Sequence, residues 1–250
     1  MIKYKKTFCL SFIIFCLIVA VLSILKYDVK DANAKDKTKV KNSSPKGIIY
    51  LTFDDGPSKN ITGEVLDILK ENEIKGTFFL IGNKIEGRED VVKRIYKEGH
   101  SIGMHTFTHD FNKIYKSKES FMEEMLLCNE EIYSVLGVKA NIIRFPGGSL
   151  NHLDEEFLDR IHSKGFKVFD WNMQLSDGID HNIPPEKLYL EGTKGSDKFY
   201  SITLLMHCDS TNKNTCKALP KIIKYYKDKN YEFKTITKDT PEYHFRVRKK

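Results

Sequence analysis

The chain has 250 residues, 40% of them hydrophobic and 30% charged, with a formal net charge of +7. That length suits one large domain or two small ones. The lysines are scattered rather than gathered with aromatics into a groove-like stripe, which argues against a nucleic-acid partner. A mildly positive surface suits an anionic polymer such as a cell wall.

Residues 1–6, MIKYKK, carry three lysines, and Thr7 to Leu25 form a run of 19 residues without a charge. At about 1.5 Å per residue this run spans a hydrocarbon core. It lacks the polar face of a soluble helix. The preceding lysines predict a cytoplasmic N-terminus, with everything after Leu25 outside a cell membrane crossed once. A cleaved signal peptide is the competing reading, because Asp31 to Ala34 (DANA) contains an Ala-x-Ala site; cleavage would make the protein secreted. The long apolar run and the charged stretch before that site favour an uncleaved anchor. Residues 26–46 are lysine-rich and almost free of large apolar groups, and they read as a solvated tether.

From Gly47 onward, short β-rich runs alternate with longer helical stretches. The runs cover 47–53, 75–82, 100–107, 141–146, 166–171, 201–207 and 231–236. The stretches between them cover 61–73, 88–99, 117–137, 152–165, 184–195 and 215–229, most with apolar residues at three- and four-residue spacing. This alternation predicts parallel strands in one α/β domain. Seven units suit a barrel-like sheet, with an open doubly wound sheet as the alternative. The domain is read as 47–240, followed by a basic C-terminal tail, 241–250.

The unusual polar residues gather at the ends of the runs. Asp54 and Asp55 close the first, in TFDDGP. His105 and His109 close the third, in HTFTH. Arg144 lies in the fourth, before Gly147 and Gly148. Trp171, the single tryptophan, ends the fifth, with Asp177 in the loop beyond, and His207 ends the sixth. In parallel barrels, sites collect at the C-terminal ends of the strands. Turn chemistry alone would be satisfied by one aspartate. Two adjacent like charges point to a bound cation, or to a division of labour between ligand and base. His105 and His109 are four apart, and on a helical turn both imidazoles would face one metal. With one carboxylate from the Asp pair, the set is two His and one Asp, leaving open positions for water and substrate. Arg144 would steady a carboxylate. The backbone at Gly147–Gly148 would offer an N–H to an oxyanion. His207 would serve as general acid, and Trp171 as a wall for a sugar ring.

TFDDGP, HTFTH, RFPGG, DWNMQLSD and LLMH occur in the order and near the spacing of the polysaccharide deacetylases, the NodB-homology group or carbohydrate esterase family four. The chain resembles that family over about residues 47–240, and the motifs are specific as a set. The resemblance implies a distorted (β/α) barrel, matching the seven-unit reading. It implies Asp54 as catalytic base, with Asp55, His105 and His109 as ligands of one divalent ion, usually zinc. It further implies that Arg144 tethers the base, Asp177 orients His207, His207 protonates the departing amine, Gly147 is the oxyanion donor and Leu205 lines the acetyl pocket. Two departures stand out. Gly178 replaces the tryptophan that often follows the position of Asp177, with Gln174 in place of an inner aspartate. Cys208 follows His207 where many members have aspartate.

The expected activity is therefore metal-dependent removal of N-acetyl groups from amino sugars of a cell-wall glycan, peptidoglycan N-acetylglucosamine in particular, by a monomer. Chitin oligomers and O-acetylated xylan are the alternative substrates. A metal phosphoesterase would want more ligands or a phosphate cradle, and a non-catalytic wall-binding module would be expected to lose Asp54 or His207. Five cysteines occur without CxxC spacing. Cys208 and Cys216 lie beyond the apolar segment, where a disulfide is permitted, but the adjacency of Cys208 to His207 favours free thiols. His100, His152, His162, His181 and His244 are read as structural or surface residues.

Overall fold

The computed structural model describes residues 44–247. The segment 7–25 expected to be an anchor, the basic residues before it and most of the tether lie outside these residues. Among the described residues no helix is long and apolar enough to cross a membrane.

Strand β1 (Gly47–Gly56) organises the sheet. Along one edge it pairs with β7 (Ser201–His207), from Ile48 opposite Ser201 to Asp54 opposite His207. Its other edge is shared. β8 (Tyr231–Lys234) takes the first half, from Gly47 to Tyr50. β2 (Thr77–Leu80) takes the second, from Thr52 to Gly56. Beyond β2 lie β3 (Ser101–Met104), β4 (Ile142–Ile143) and β5 (Lys167–Val168), and beyond β7 lies β6 (Met173–Gln174). All these pairings are parallel, and the result is a curled half-barrel, the distorted (β/α) barrel in its open form.

Strand periodicity assigns the two faces. Successive side chains of a strand point to opposite sides. Ile49, Leu51 and Phe53 of β1, with Ile202, Leu204 and Met206 of β7, join the large core beneath the helices. Tyr50 joins a smaller cluster with Phe79, Ile142, Phe169 and Ile236 on the concave side. By the same alternation Thr52 and Asp54, and across from them Thr203, Leu205 and His207, face the concavity. The helices are α1 (Ile61–Glu71), α2 (Glu89–Lys97), the single turn α3 (Phe111–Ile114), α4 (Lys118–Leu136), α5 (Glu155–Ser163), α6 (Pro185–Thr193) and α7 (Lys213–Asp228). Their starts follow local rules: the side chains of Ser117 and Asp154 accept from the N–H groups of Ser120 and Phe157, and Pro185 stands at the first position of α6.

The expected runs 141–146 and 166–171 shrink to two residues each. Pro146 has no N–H to extend a ladder, and Arg144 is diverted into the concavity. After Val168 the next residue pairs elsewhere, in an isolated parallel bridge from Phe169 to Tyr243. Cys208 and Cys216 are buried free thiols.

Candidate active site

The two aspartates part company because the register of β1 against β2 shifts between Phe53 and Gly56, an irregularity that spans them both. Asp54 keeps extended geometry and points into the concavity. Regular alternation would send Asp55 to the helix side. Its φ of +67° turns it back toward the same pocket, a left-handed conformation that aspartate tolerates better than most residues. Thr106 (φ +66°) and His109 (φ +58°) are also left-handed. Such conformations cost free energy and cluster at functional sites.

His105 follows β3. Its Nδ1 lies 2.9 Å from the carbonyl oxygen of Arg144. A carbonyl only accepts, so Nδ1 carries a proton there and Nε2 is the ring nitrogen turned toward the aspartates. That Nε2 lies 3.5 Å from Oδ1 of Asp55 and 3.7 Å from Oδ2 of Asp54. Nε2 of His109 lies 3.4 Å from the same Oδ1 of Asp55. Oδ1 is buried and has no hydrogen-bond partner. Burial and the neighbouring His105 push the His109 pKa down to about 4, so its ring is neutral near pH 7. Burial alone would raise the Asp55 carboxyl, but the field of His105, His207, His109 and Lys84 holds it below the usual carboxylate range. Oδ1 of Asp55 thus faces two imidazole nitrogens without a hydrogen bond to either, which is the environment a cation completes. Asp55, His105 and His109 each offer one ligand atom, all within 4.8 Å of one another. Two imidazoles and one carboxylate suit zinc or a similar divalent ion and leave positions open.

The two histidines do not share a helical turn, contrary to the expectation from their spacing. The chain between them is a loop, closed by the His109 N–H donating to Oγ1 of Thr106 (3.1 Å). Glu124 of α4 grips this loop from behind. Its Oε2 accepts from the N–H groups of Phe107 (3.1 Å) and Thr108 (2.7 Å) and from the Thr108 hydroxyl (2.9 Å). Lys113 lies 3.0 Å from Oε1. Motif reading passed over Glu124, but it carries a signal: it sits three residues after Phe121 and four before Cys128, on the buried stripe of α4 where apolar residues belong.

Arg144 is fully buried. Its Nη1 donates to Oδ1 of Asp54 (2.9 Å) and to Oγ1 of Thr52 (2.7 Å), and its Nε donates to the carbonyl of Phe169 (2.8 Å). Asp54 is thereby held by one oxygen. On the neighbouring strand, Nδ1 of His207 donates to Oδ1 of Asp177 (2.9 Å), while Oδ2 of Asp177 accepts from the His207 N–H and from the Thr215 hydroxyl. Burial lowers the His207 pKa, but the bond and charge of Asp177, joined by Asp54 and Asp55, outweigh it and raise the value to about 9. His207 is therefore an imidazolium at neutral pH.

These groups surround a pocket of about 350 Å³. Gly147, Trp171 and Leu205 line it with Asp54, Asp55, His105, His109 and His207, so the expected site residues converge on this one region, with Arg144 and Asp177 immediately behind. Gln174, Phe111 and Ile179 also line it, and motif reading assigned them no role. Trp171 donates from Nε1 to Oε1 of Gln174 (2.6 Å). The other histidines lie elsewhere: Nδ1 of His100 accepts from the Gly76 N–H, and Nε2 of His162 bonds Glu242.

A curled parallel barrel with an ion-ready donor set beside an arginine-held carboxylate and a protonated histidine defines a hydrolase built for acid–base chemistry at the C-terminal rim of its strands. The family model for polysaccharide deacetylases matches residues 41–169. The chain is 35% identical over 214 residues to a peptidoglycan-N-acetylglucosamine deacetylase of Bacillus cereus, covering 82% of this chain and 74% of that one. It is 30% identical over 215 residues to the peptidoglycan-N-acetylmuramic acid deacetylase PdaA of Bacillus subtilis, covering 85% and 75%. The solved catalytic domain of a peptidoglycan N-acetylglucosamine deacetylase from Eubacterium rectale superposes with a TM-score of 0.73 at 29% identity, over 83% of this chain and 96% of that one. The chain belongs to the polysaccharide deacetylase family, enzymes that hydrolyse carbon–nitrogen amide bonds.

Proposed function

We propose that this protein removes N-acetyl groups from peptidoglycan, acting on N-acetylglucosamine, with one divalent ion, zinc for preference, held by Asp55, His105 and His109. The observation that carries the metal is the orphaned Oδ1 of Asp55 between two imidazole nitrogens. The substrate class is supported by the 35% identity to a relative named for that activity. A relative named for N-acetylmuramic acid, at 30% identity, makes that sugar the second reading.

The bound ion would supply positive charge that acidifies water and polarises the amide carbonyl. Asp54 takes the proton of the attacking water, with Arg144 holding Oδ1 and leaving Oδ2 toward the pocket. The Gly147 N–H faces the oxygen on which negative charge develops. His207, charged and aligned by Asp177, gives its proton to the nitrogen as the C–N bond breaks. Acetate leaves with the oxygen of water, and the sugar keeps a free amine. Leu205 borders the acetyl methyl group and Trp171 the sugar ring. Thr7 to Leu25 would anchor a monomer to the cell membrane with this domain outside.

The test is acetate release by the full chain in detergent, offered peptidoglycan, N-acetylglucosamine oligomers and acetylated xylan. The expected result is release from peptidoglycan that a chelator abolishes and zinc restores. Release only from the oligomers or from xylan would overturn the substrate. Phosphate release from model esters without acetate release would overturn the reaction, and wall binding without any hydrolysis would make the chain a binding module.

A further inference from the structure

We propose that residues 241–247 brace the active site from outside its pocket, with Phe245 a positioning residue that holds Trp171 as the pocket's aromatic wall. The segment does not trail from the domain. Oε1 of Glu242 accepts from the Val168 N–H, and Oε2 meets Nε2 of His162 at 2.7 Å. The Tyr243 carbonyl accepts from the Asp170 N–H at 2.7 Å, extending the Phe169 bridge. These contacts lay the segment beside β5.

The next two residues turn it toward the pocket. Asp170 is fully buried, and its carboxylate joins two pieces of chain. Oδ1 accepts from the Ser149 N–H (3.0 Å), while Oδ2 accepts from the Phe245 N–H (2.7 Å) and from the Ser149 hydroxyl. The Phe245 ring stands edge-on to Trp171, with centroids 5.2 Å apart and planes at 75°. It also presses on Gly148: a Cβ built there would lie 2.7 Å from Cε2 of Phe245 and 3.1 Å from Cη2 of Trp171. Gly148 has a φ of +90° and follows Gly147, which lines the pocket. Trp171 also lies with its ring 5.7 Å from the Arg144 guanidinium. Trp171 thus meets both the arginine that fixes the base and an aromatic side chain brought by residues 241–247. An edge-on aromatic pair contributes about 0.5–1.5 kcal/mol beyond burial, and a wall set in advance spares a ligand the cost of ordering it. Phe245 itself is absent from the pocket lining, so it acts through Trp171.

The kinetic arm of the test rests on the deacetylase reading above; the fluorescence arm does not. Trp171 is the only tryptophan, so its emission reports on this contact alone. In the full chain, Phe245→Ala should make Trp171 more accessible to acrylamide quenching. It should raise KM for the acetylated glycan by about three- to tenfold, the size of one ordered side chain, with kcat changed less. Phe245→Tyr should restore both. Unchanged quenching in Phe245→Ala overturns the proposal, as does unchanged KM in an active enzyme. If the wild type releases acetate from no glycan, the functional reading falls, and quenching alone decides whether Phe245 holds Trp171.

Discussion

A Cβ built on Gly178 would stand 2.3 Å from Cε1 of His207, 2.5 Å from Nε2 and 2.7 Å from Nδ1. The imidazole lies flat against the backbone one residue beyond the aspartate that orients it, in space that any side chain at 178 would claim. The glycine that departs from the family pattern is therefore the residue this His207 placement requires. Gly178→Ala should displace the ring from Asp177 and lower kcat by about 10²-fold, within the range of a lost general acid. Metal content should stay unchanged. Combined with His207→Ala it should add little, because both act on one group. Steady-state kinetics of the single and double variants read this directly.

The two aspartates should separate cleanly. Asp54→Asn keeps the ligand set and should retain metal while losing about 10²–10⁴-fold in rate. Asp55→Asn and His105→Ala should lose metal and activity together, with the fold retained. Metal analysis alongside acetate release checks both. Metal loss in Asp54→Asn with retention in Asp55→Asn would reverse the assignment.

His207 sets the alkaline limit. Its proton is needed on the leaving nitrogen, and its pKa is raised to about 9. Activity on the amide should therefore fall as pH rises through that region, because the neutral ring cannot donate. A bound cation offsets the contributions of Asp54 and Asp55, which places the limb at or below that value. Asp177→Asn removes the principal raising partner and should shift the limb to lower pH. A pH–rate profile unchanged by Asp177→Asn would remove His207 from the acid role.

Glu124 should matter to metal binding without touching metal. Glu124→Ala leaves the N–H groups of Phe107 and Thr108 and the Thr108 hydroxyl without their acceptor, at a cost of about 1–3 kcal/mol for each group that stays buried. The loop that carries His109 in its left-handed conformation loses its support. Metal affinity should fall about 10–100-fold, as expected for a lost outer-shell partner. Equilibrium zinc titration of the variant measures it.

What the sequence determined by itself was whatever lies local to the chain. Alternation of short β-rich runs with three- and four-residue apolar spacing named one α/β domain of parallel strands, because each element must bury one face on its neighbours; the choice of a barrel over an open sheet came with the family resemblance. The end positions of Asp54, Asp55, His105, His109, Arg144 and His207 named the rim. What tertiary structure decided concerns pairs of groups with no shared periodicity. His105 and His109 face one oxygen through left-handed loop geometry held by Glu124, fifteen residues further on, and not through a helical turn. β6 is two residues long, too short to leave a pattern. The segment 241–247 reads as a charged tail, since Phe245 is one aromatic among polar residues. Its role appears only where Asp170 and Trp171 receive it, because a hydrogen bond across 75 residues and a ring contact across 74 leave no trace in local spacing.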